Sequence, residues 1–273
     1  MINVKIIADS KYGSNRVTTF ELEYPRYIHS ELMTHRVFSR NAASSRAIPI
    51  EKMIEQATQN TVIPMWTKNQ KGMQGEIIRD LDTINEANEI LAQMLNDVVE
   101  GVYNLSAIGI HKQNANRYLE PFQHIKTIVT ATEFENFFNL RYHEDAQPEI
   151  RALAVEMYAA YCKSKPKLLK ATEWHLPYVD VPVLYPGSDK GDSNAISLDE
   201  AKKISASCCA QVSYRKNDTS VEKAELVYDR LVGGEPLHAS PFEHVCCPLA
   251  LSEEQRGNLI GFRQLRQEIE DAV

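Results

Sequence analysis

Thirteen residues near the N-terminus, THRVFSRNAASSR from Thr34 to Arg46, concentrate groups that can grip an anion or a planar ligand. His35, Arg36, Ser39, Arg40, Asn41, Ser44, Ser45 and Arg46 bring hydroxyls, an amide, an imidazole and guanidinium forks within one short stretch. Ser-Ser-Arg following a helix can surround a phosphate with hydroxyls, backbone N–H groups and a bidentate cation. By composition alone the stretch is equally a solvated polar loop. A second concentration, FENFFNLRYHEDAQPEIR from Phe134 to Arg151, interleaves aromatics with Asn136, Asn139, Arg141, Gln147 and Arg151. Guanidinium tolerates apolar walls better than ammonium, so Arg141 beside Phe137 and Phe138 can face a planar ligand; the alternative is an amphipathic helix with Arg141 paired to Glu144 or Asp145. The third, HASPFEHV from His238 to Val245, sets two histidines, Ser240 and Glu243 around Pro241 and Phe242. It is under-liganded for zinc, and a lone histidine in such a turn is commonly structural.

The elements that must position these groups follow from periodicity. Residues 3–8 and 17–24 read as strands, and Pro25 suits the first turn of a helix through Ile28, Leu32 and Met33 towards Val37. The polar run after it, closed by Pro49, reads as a connector. Ile77, Leu81, Ile84, Leu91, Leu95, Val98 and Val102 recur mainly at helical steps and predict a helix over 76–104, its end broken up by Gly101 and Gly109. Further helices are expected over 110–119, 131–140, 148–163, 198–210 and 219–232, with a charged C-terminal helix. The Pro-, Gly- and Asp-rich stretch 176–195 reads as an irregular connector. Helices dominate over a small sheet, which makes the fold class α+β. The whole of 1–273 is expected to form one domain, with a first block 1–175, the connector 176–195 and a last block 196–273.

Bulk properties narrow the function classes. The chain has 273 residues, 43% hydrophobic and 25% charged, with a formal net charge of −7. That charge argues against a nucleic-acid polymer as partner, yet a single phosphate can be held by a local arginine cluster. Cys162, Cys208, Cys209, Cys246 and Cys247 lack the C-x-x-C spacing of a shared zinc, so they read as reduced thiols, four of them in adjacent pairs, and no metal is expected. No apolar run is long enough for a signal or a membrane span, and a cytoplasmic location is expected.

Taken together, the three concentrations resemble the flavin-dependent thymidylate synthases. The family signature R-H-R-x-x-S-x-N-E-x-S-x-R is resembled with every gap preserved: His35, Arg36, Ser39, Asn41, Ser44 and Arg46 match it, and Thr34 and Ala42 stand at its first arginine and its glutamate. His238 to His244 resembles H-x-[ST]-P-F-E-H, Asn136 to Arg141 resembles N-F-x-x-L-R, and Ala146 to Arg151 resembles A-Q-x-E-I-R. Cys209 to Tyr214 is similar to the A-x-x-V-S-[FY] segment. In the family the V-S-[FY] and P-F-E-H segments precede the signature; here they follow it, the order expected of a circular permutation.

The resemblance implies long helices packed on a small, mostly antiparallel sheet, and a homotetramer whose active sites are shared between subunits. It implies FAD as cofactor, with NADPH and methylenetetrahydrofolate as co-substrates and dUMP converted to dTMP. By position, His35, Arg36, Val37, Asn136, Ser213, Ser240 and Glu243 would contact FAD, and His238 would lie beside the flavin and folate. Glu31, Thr34, Ala42, Ala43, Ser44, Ser45 and Arg46 would line the nucleotide, with Arg117 arriving from another subunit. Arg141 would sit at the pyrimidine, where a cation favours ionisation at N3 and so a more nucleophilic C5.

Four positions depart from the family. Thr34 replaces an arginine, Ala42 a glutamate, Glu31 a glutamine, and Thr132 the arginine of an N-A-R run; Arg40 could replace one lost guanidinium. These departures leave two further expectations beside dUMP methylation: hydroxymethylation, or action on dCMP or a ribonucleotide, by the same fold; and a flavin- or nucleotide-binding protein without catalysis.

Overall fold

The computed structural model describes residues 2–186, 193–213 and 217–272. Strands β1 (Asn3–Tyr12) and β2 (Asn15–Pro25) form an antiparallel hairpin. Gly13 turns it in the left-handed region (φ 58°), where a side chain would be strained. A 3₁₀ turn (Arg26–Ile28) and the short helix α1 (His29–Met33) follow. The chain then re-enters the sheet as β3 (Ser39–Ala42), beside β4 (His124–Ala131). With the short β5 (Lys167–Leu168), the sheet order is β3-β4-β2-β1-β5, antiparallel except for β1 with β5. Thus β2 is central and buried on both faces, and β3 is an edge.

One face of the sheet carries Phe20, Leu22 and Tyr24. These pack with Leu32 and Phe38, with Phe137 and Phe138 of α5 (Glu135–Arg141), and with Ile150, Leu153 and Met157 of α6 (Pro148–Lys163). Burying each such side chain contributes roughly 1.5–3 kcal/mol. The opposite face carries Ile128, which packs on Cys209 of α7 (Leu198–Ala210) and on Val212. The N-terminus of α7 closes in a capping box, Ser197 with Glu200. A second core forms outside the sheet, where α2 (Ile50–Gln59) and α3 (Leu81–Ala107) meet Leu119 and Phe122. The short α4 (Lys112–Ala115) and a 3₁₀ turn (Asn116–Phe122) lead from there back into β4. The last block adds β6 (Val183–Leu184) beside β7 (Ile196–Ser197), then α8 (Val221–Val232) and a 3₁₀ turn (Ser240–His244). It ends with β8 (Cys246–Pro248), β9 (Phe262–Gln264) and α9 (Leu265–Glu270).

Polar groups of His175 and of the last block reach the sheet. His175 meets Ser10 Oγ (2.9 Å) through Nδ1 and Thr19 Oγ1 (2.7 Å) through Nε2. Thr19 meets Thr130 (2.7 Å), whose hydroxyl reaches His244 Nδ1 (2.8 Å). Burial pushes His175 down to about 4 and His244 to about 3, so both rings are neutral links in a buried chain of hydrogen bonds.

The α+β class and the small, mostly antiparallel sheet are as expected. Several element boundaries are corrected. The polar stretch after α1 is not all connector, because Ser39–Ala42 pairs with β4. Strand β4 occupies a stretch for which periodicity predicts no strand, and the helix expected over 131–140 is Glu135–Arg141. The helix expected from residue 76 begins at Leu81, capped by the Asp80 side chain, while Ile77 bridges Thr67. Gly101 lies within that helix, and Gly109 (φ 86°) follows its end. The helix expected over 110–119 is a single α-turn followed by 3₁₀. Part of the connector (187–192) and Tyr214 lie outside the described residues. Cys208, Cys209, Cys246 and Cys247 are buried and Cys162 is exposed, all as free thiols.

Candidate active site

The edge strand β3 carries the middle of the signature, so its two ends present the rest. At the first end, α1 finishes in the turn Thr34–Phe38, while α5 delivers Arg141 from its last residue. The guanidinium of Arg141 donates through NH1 to Glu31 Oε2 (3.0 Å), through NH2 to Thr34 Oγ1 (3.2 Å) and through Nε to His35 Nε2 (3.1 Å). Two of the departures from the family pattern, Glu31 and Thr34, therefore converge on the same arginine. Neither Glu144 nor Asp145 takes that role.

His35 is only 6% exposed. Its ring stacks on Phe38 (5.7 Å between centroids) and meets Phe137 edge-on (5.0 Å). Burial first, then Arg141 and Arg40, lowers it to about 4. It is neutral, and since Nε2 accepts from Arg141, the proton sits on Nδ1. The ring expected at FAD is thus turned inward, supporting Arg141. Arg36 and Val37 beside it are exposed, as is Asn136. Arg40 donates to the backbone carbonyls of Met33 (2.7 Å) and His35 (3.2 Å), closing the end of α1.

At the other end, Asn41 is anchored to the Cys209 carbonyl of α7, and the Ser44 N–H donates to Ser213 Oγ (3.2 Å). Ser45 is buried and donates to Glu120 Oε1 (2.7 Å). Arg26 (2.9 Å) and Arg117 (2.9 Å) converge on the same oxygen. Arg117, expected from another subunit, is joined through Glu120 to Ser45 of its own chain. Arg46 is exposed and makes no ion pair among the described residues. A cavity of about 410 Å³ opens here, lined by Arg26, Ala43, Lys126 and Ser213 and also by the carboxylates of Glu21 and Glu23, the first of them paired with Lys126. Glu120 and Arg26 belong to no motif; their charge in otherwise unremarkable stretches was the only signal.

The Pro241–His244 turn packs beside β3. Its Glu243 is ion-paired with Arg266, and Phe242 and His244 are buried. His238 is exposed just beyond α8, its N–H bound to the Leu231 carbonyl (3.2 Å); Ser240 is half-buried. Ala42, the last residue of β3, pairs with Thr127. Among the described residues no group of three or more His, Cys, Asp and Glu is arranged to hold a metal, and no helix is long and apolar enough to cross a membrane.

At 28% identity over 160 residues, the chain is similar to a flavin-dependent thymidylate synthase of Saccharolobus solfataricus. That match takes in 57% of this chain and 54% of the relative, so the chain spans about half the length of the curated relative it matches. Among solved structures it is similar to the UMP/dUMP methylase PolB of Streptomyces cacaoi, bound with 5-Br UMP or 5-Br dUMP. Both have a TM-score of 0.48, at 19% and 18% identity, covering 60% of this chain and 89% and 90% of the other. The family model for the thymidylate synthase complementing protein matches residues 15–167, which hold the signature, Arg117 and Arg141 but not the Pro241–His244 turn. With more than half of its length matched, the chain belongs to the thymidylate synthase complementing protein family.

Proposed function

We propose that this protein transfers a one-carbon unit from methylenetetrahydrofolate to C5 of dUMP, giving dTMP, with FAD as cofactor and NADPH as reductant. Family membership supports the reading. The observation that carries it is the placement of Arg141 at one end of β3 and of Ser45, Arg26 and Arg117 at the other. Phosphate binds at the Glu120 end, where guanidinium N–H groups outnumber the acceptors they meet. The base lies at Arg141, whose cation stabilises charge developing on the ring.

The residues present fit a flavin. Arg36 and Asn136 supply exposed donors, and Val37, 45% exposed, supplies an apolar surface beside them. The chemistry a bound flavin supplies is hydride exchange. Arg36, Val37 and Asn136 would hold it, with Ser213, Ser240, Glu243 and His238 from the last block at its margin. The order of the blocks is that of a circularly permuted member, folded as one catalytic domain. A homotetramer with shared sites is part of the reading, and Ile90 and Met94, one turn apart, leave exposed apolar side chains on one side of α3.

A different acceptor is the second reading, and Glu31 favours it. A carboxylate on Arg141 accepts hydrogen bonds only, so it suits the 4-amino group of cytosine and opposes an anion at N3 of uracil. Purified protein should show flavin bands that dUMP perturbs, and product analysis with dUMP, dCMP and UMP in parallel separates the readings. Turnover of dCMP alone would replace the first with the second. A protein that stays colourless after incubation with FAD would remove both.

A further inference from the structure

The segment after the Pro241–His244 turn lies outside the stretch that the family model matches, yet it reaches back to the signature. The Asn258 amide donates to the Val37 carbonyl (2.8 Å) and to Ser39 Oγ (3.0 Å), and its oxygen accepts from that hydroxyl (3.2 Å). Gln264 spends both amide hydrogens as a bridge, one to Ser39 Oγ (3.0 Å) and one to the Glu243 carbonyl (2.9 Å). Ser39 is 1% exposed, and its hydroxyl donates once and accepts twice, so its capacity is filled by this segment. The Ile260 N–H donates to Thr132 Oγ1 (3.0 Å), at the position where the family pattern has an arginine.

The loop shape that permits this is specified by glycine. Gly257 has φ 80°, and a Cβ there would come within 2.4 Å of Gln264 Oε1. Gly261 has φ 76°, and its Cβ would fall 2.0 Å from the Asn15 side chain.

We propose that residues 257–264 are a clasp, in which Asn258 and Gln264 are positioning residues that fix the Val37–Ser39 backbone and tie the Pro241–His244 turn to it. Edge strand β3 has a sheet partner on one side only. The clasp supplies the restraint its entry lacks, and so sets the surface formed by Arg36 and Val37. The inference that this surface is the flavin's rests on the proposed function; the restraint itself does not.

Hydrogen exchange of the amides of residues 37–42 and the Kd for FAD would be measured in wild type, Asn258→Ala, Asn258→Asp and Gln264→Ala. Arg256→Ala serves as a control, because it breaks only the exposed pair with Asp271 in the same segment. Faster exchange confined to 37–42 and a Kd for FAD raised about tenfold, about 1.4 kcal/mol, are expected for the first three variants. Asn258→Asp loses both donated hydrogen bonds and sets a carboxylate against the Val37 carbonyl, so it should loosen 37–42 although it keeps an acceptor for the Ser39 hydroxyl. Unchanged exchange at 37–42, or the same loosening in Arg256→Ala, would overturn the clasp. If wild type takes up no FAD while Asn258→Ala still loosens 37–42, the clasp stands and the flavin reading falls. Should Asn258→Ala not fold, Gln264→Ala decides by the same readouts.

Discussion

The two ends of β3 use the same ingredients in opposite proportions. At the Thr34 end, one guanidinium is met by three acceptors: a carboxylate, a hydroxyl and an imidazole nitrogen. At the Ser45 end, one carboxylate oxygen is shared by three donors, two of them arginines that carry five N–H groups each. At the first end the cation is already paired with a carboxylate of the chain, and an anionic ligand there must compete with Glu31 for Arg141. The second keeps unused donors beside a cavity. An added anion is therefore favoured at the Glu120 end and opposed at the Glu31 end. On the proposed reading, that contrast sorts the phosphate and the base of a nucleotide to opposite ends of β3.

The largest effect should come from Arg141. Replacing it by alanine removes the charge proposed to lie at the base and leaves Glu31 without its cation. Turnover should fall about 10²- to 10³-fold, the scale for one preorganised donor at a developing anion. Nucleotide affinity should change much less, because the phosphate end is untouched. Steady-state and binding measurements on Arg141→Ala check this. Equal losses in affinity and turnover would mean that the ends are not functionally distinct.

The Thr34 end also depends on a neutral His35. Its value of about 4 lies below the ordinary 6.5, so between these pH values the unfolded chain takes up a proton that the native state refuses. The His35 contribution is complete above 6.5 and is lost as pH falls through about 4, at most roughly 3 kcal/mol. Below that, Nε2 becomes a donor, and Arg141 loses one of its three acceptors. An NMR titration should find His35 near 4 in wild type and higher in Arg141→Ala, though still below 6.5, because burial is the larger cause. A wild-type value near 6.5 would break the account of this end.

Legibility in the sequence divided along similar lines. Motif spacing brought Glu31, Thr34, His35 and Arg141 into consideration, and these four meet in the structure. The helix Pro148–Lys163, with Ile150, Leu153, Met157 and Tyr161 on one face, was readable from its periodicity. Strand β3 was not, because Ser-Arg-Asn-Ala has no apolar alternation; an edge position beside β4 makes it a strand. Strand β4 was hidden for the opposite reason: Thr127, Ile128, Val129, Thr130 and Ala131 are all buried, and a run covered on both faces has no period of two. Glu120 and Asn258 belong to no motif that could mark them out. Each acts across a tertiary contact, 75 residues from Ser45 and 219 from Ser39, and no local pattern records the partner.

The smallest effect, and the one that most sharpens the contrast, belongs to Glu120. Its carboxylate holds Arg26, Arg117 and Ser45 together, and it also occupies the donors that a phosphate would use. If occupation outweighs alignment, Glu120→Ala should tighten nucleotide binding about tenfold, about 1.4 kcal/mol, with inorganic phosphate now competing measurably. Stability should fall by about 1 kcal/mol, because the buried Ser45 hydroxyl loses its acceptor. Arg117 alone is exposed enough to keep water as a partner, whereas Arg26 is largely buried and gains most from a new anion. Arg26→Ala in the Glu120→Ala background should therefore cancel the gain. Calorimetry with dUMP and with phosphate on the single and double variants measures both steps. Weaker dUMP binding in Glu120→Ala would show that the carboxylate aligns the arginines rather than standing in the ligand's place, and the two ends would then differ in shape but not in their readiness for an anion.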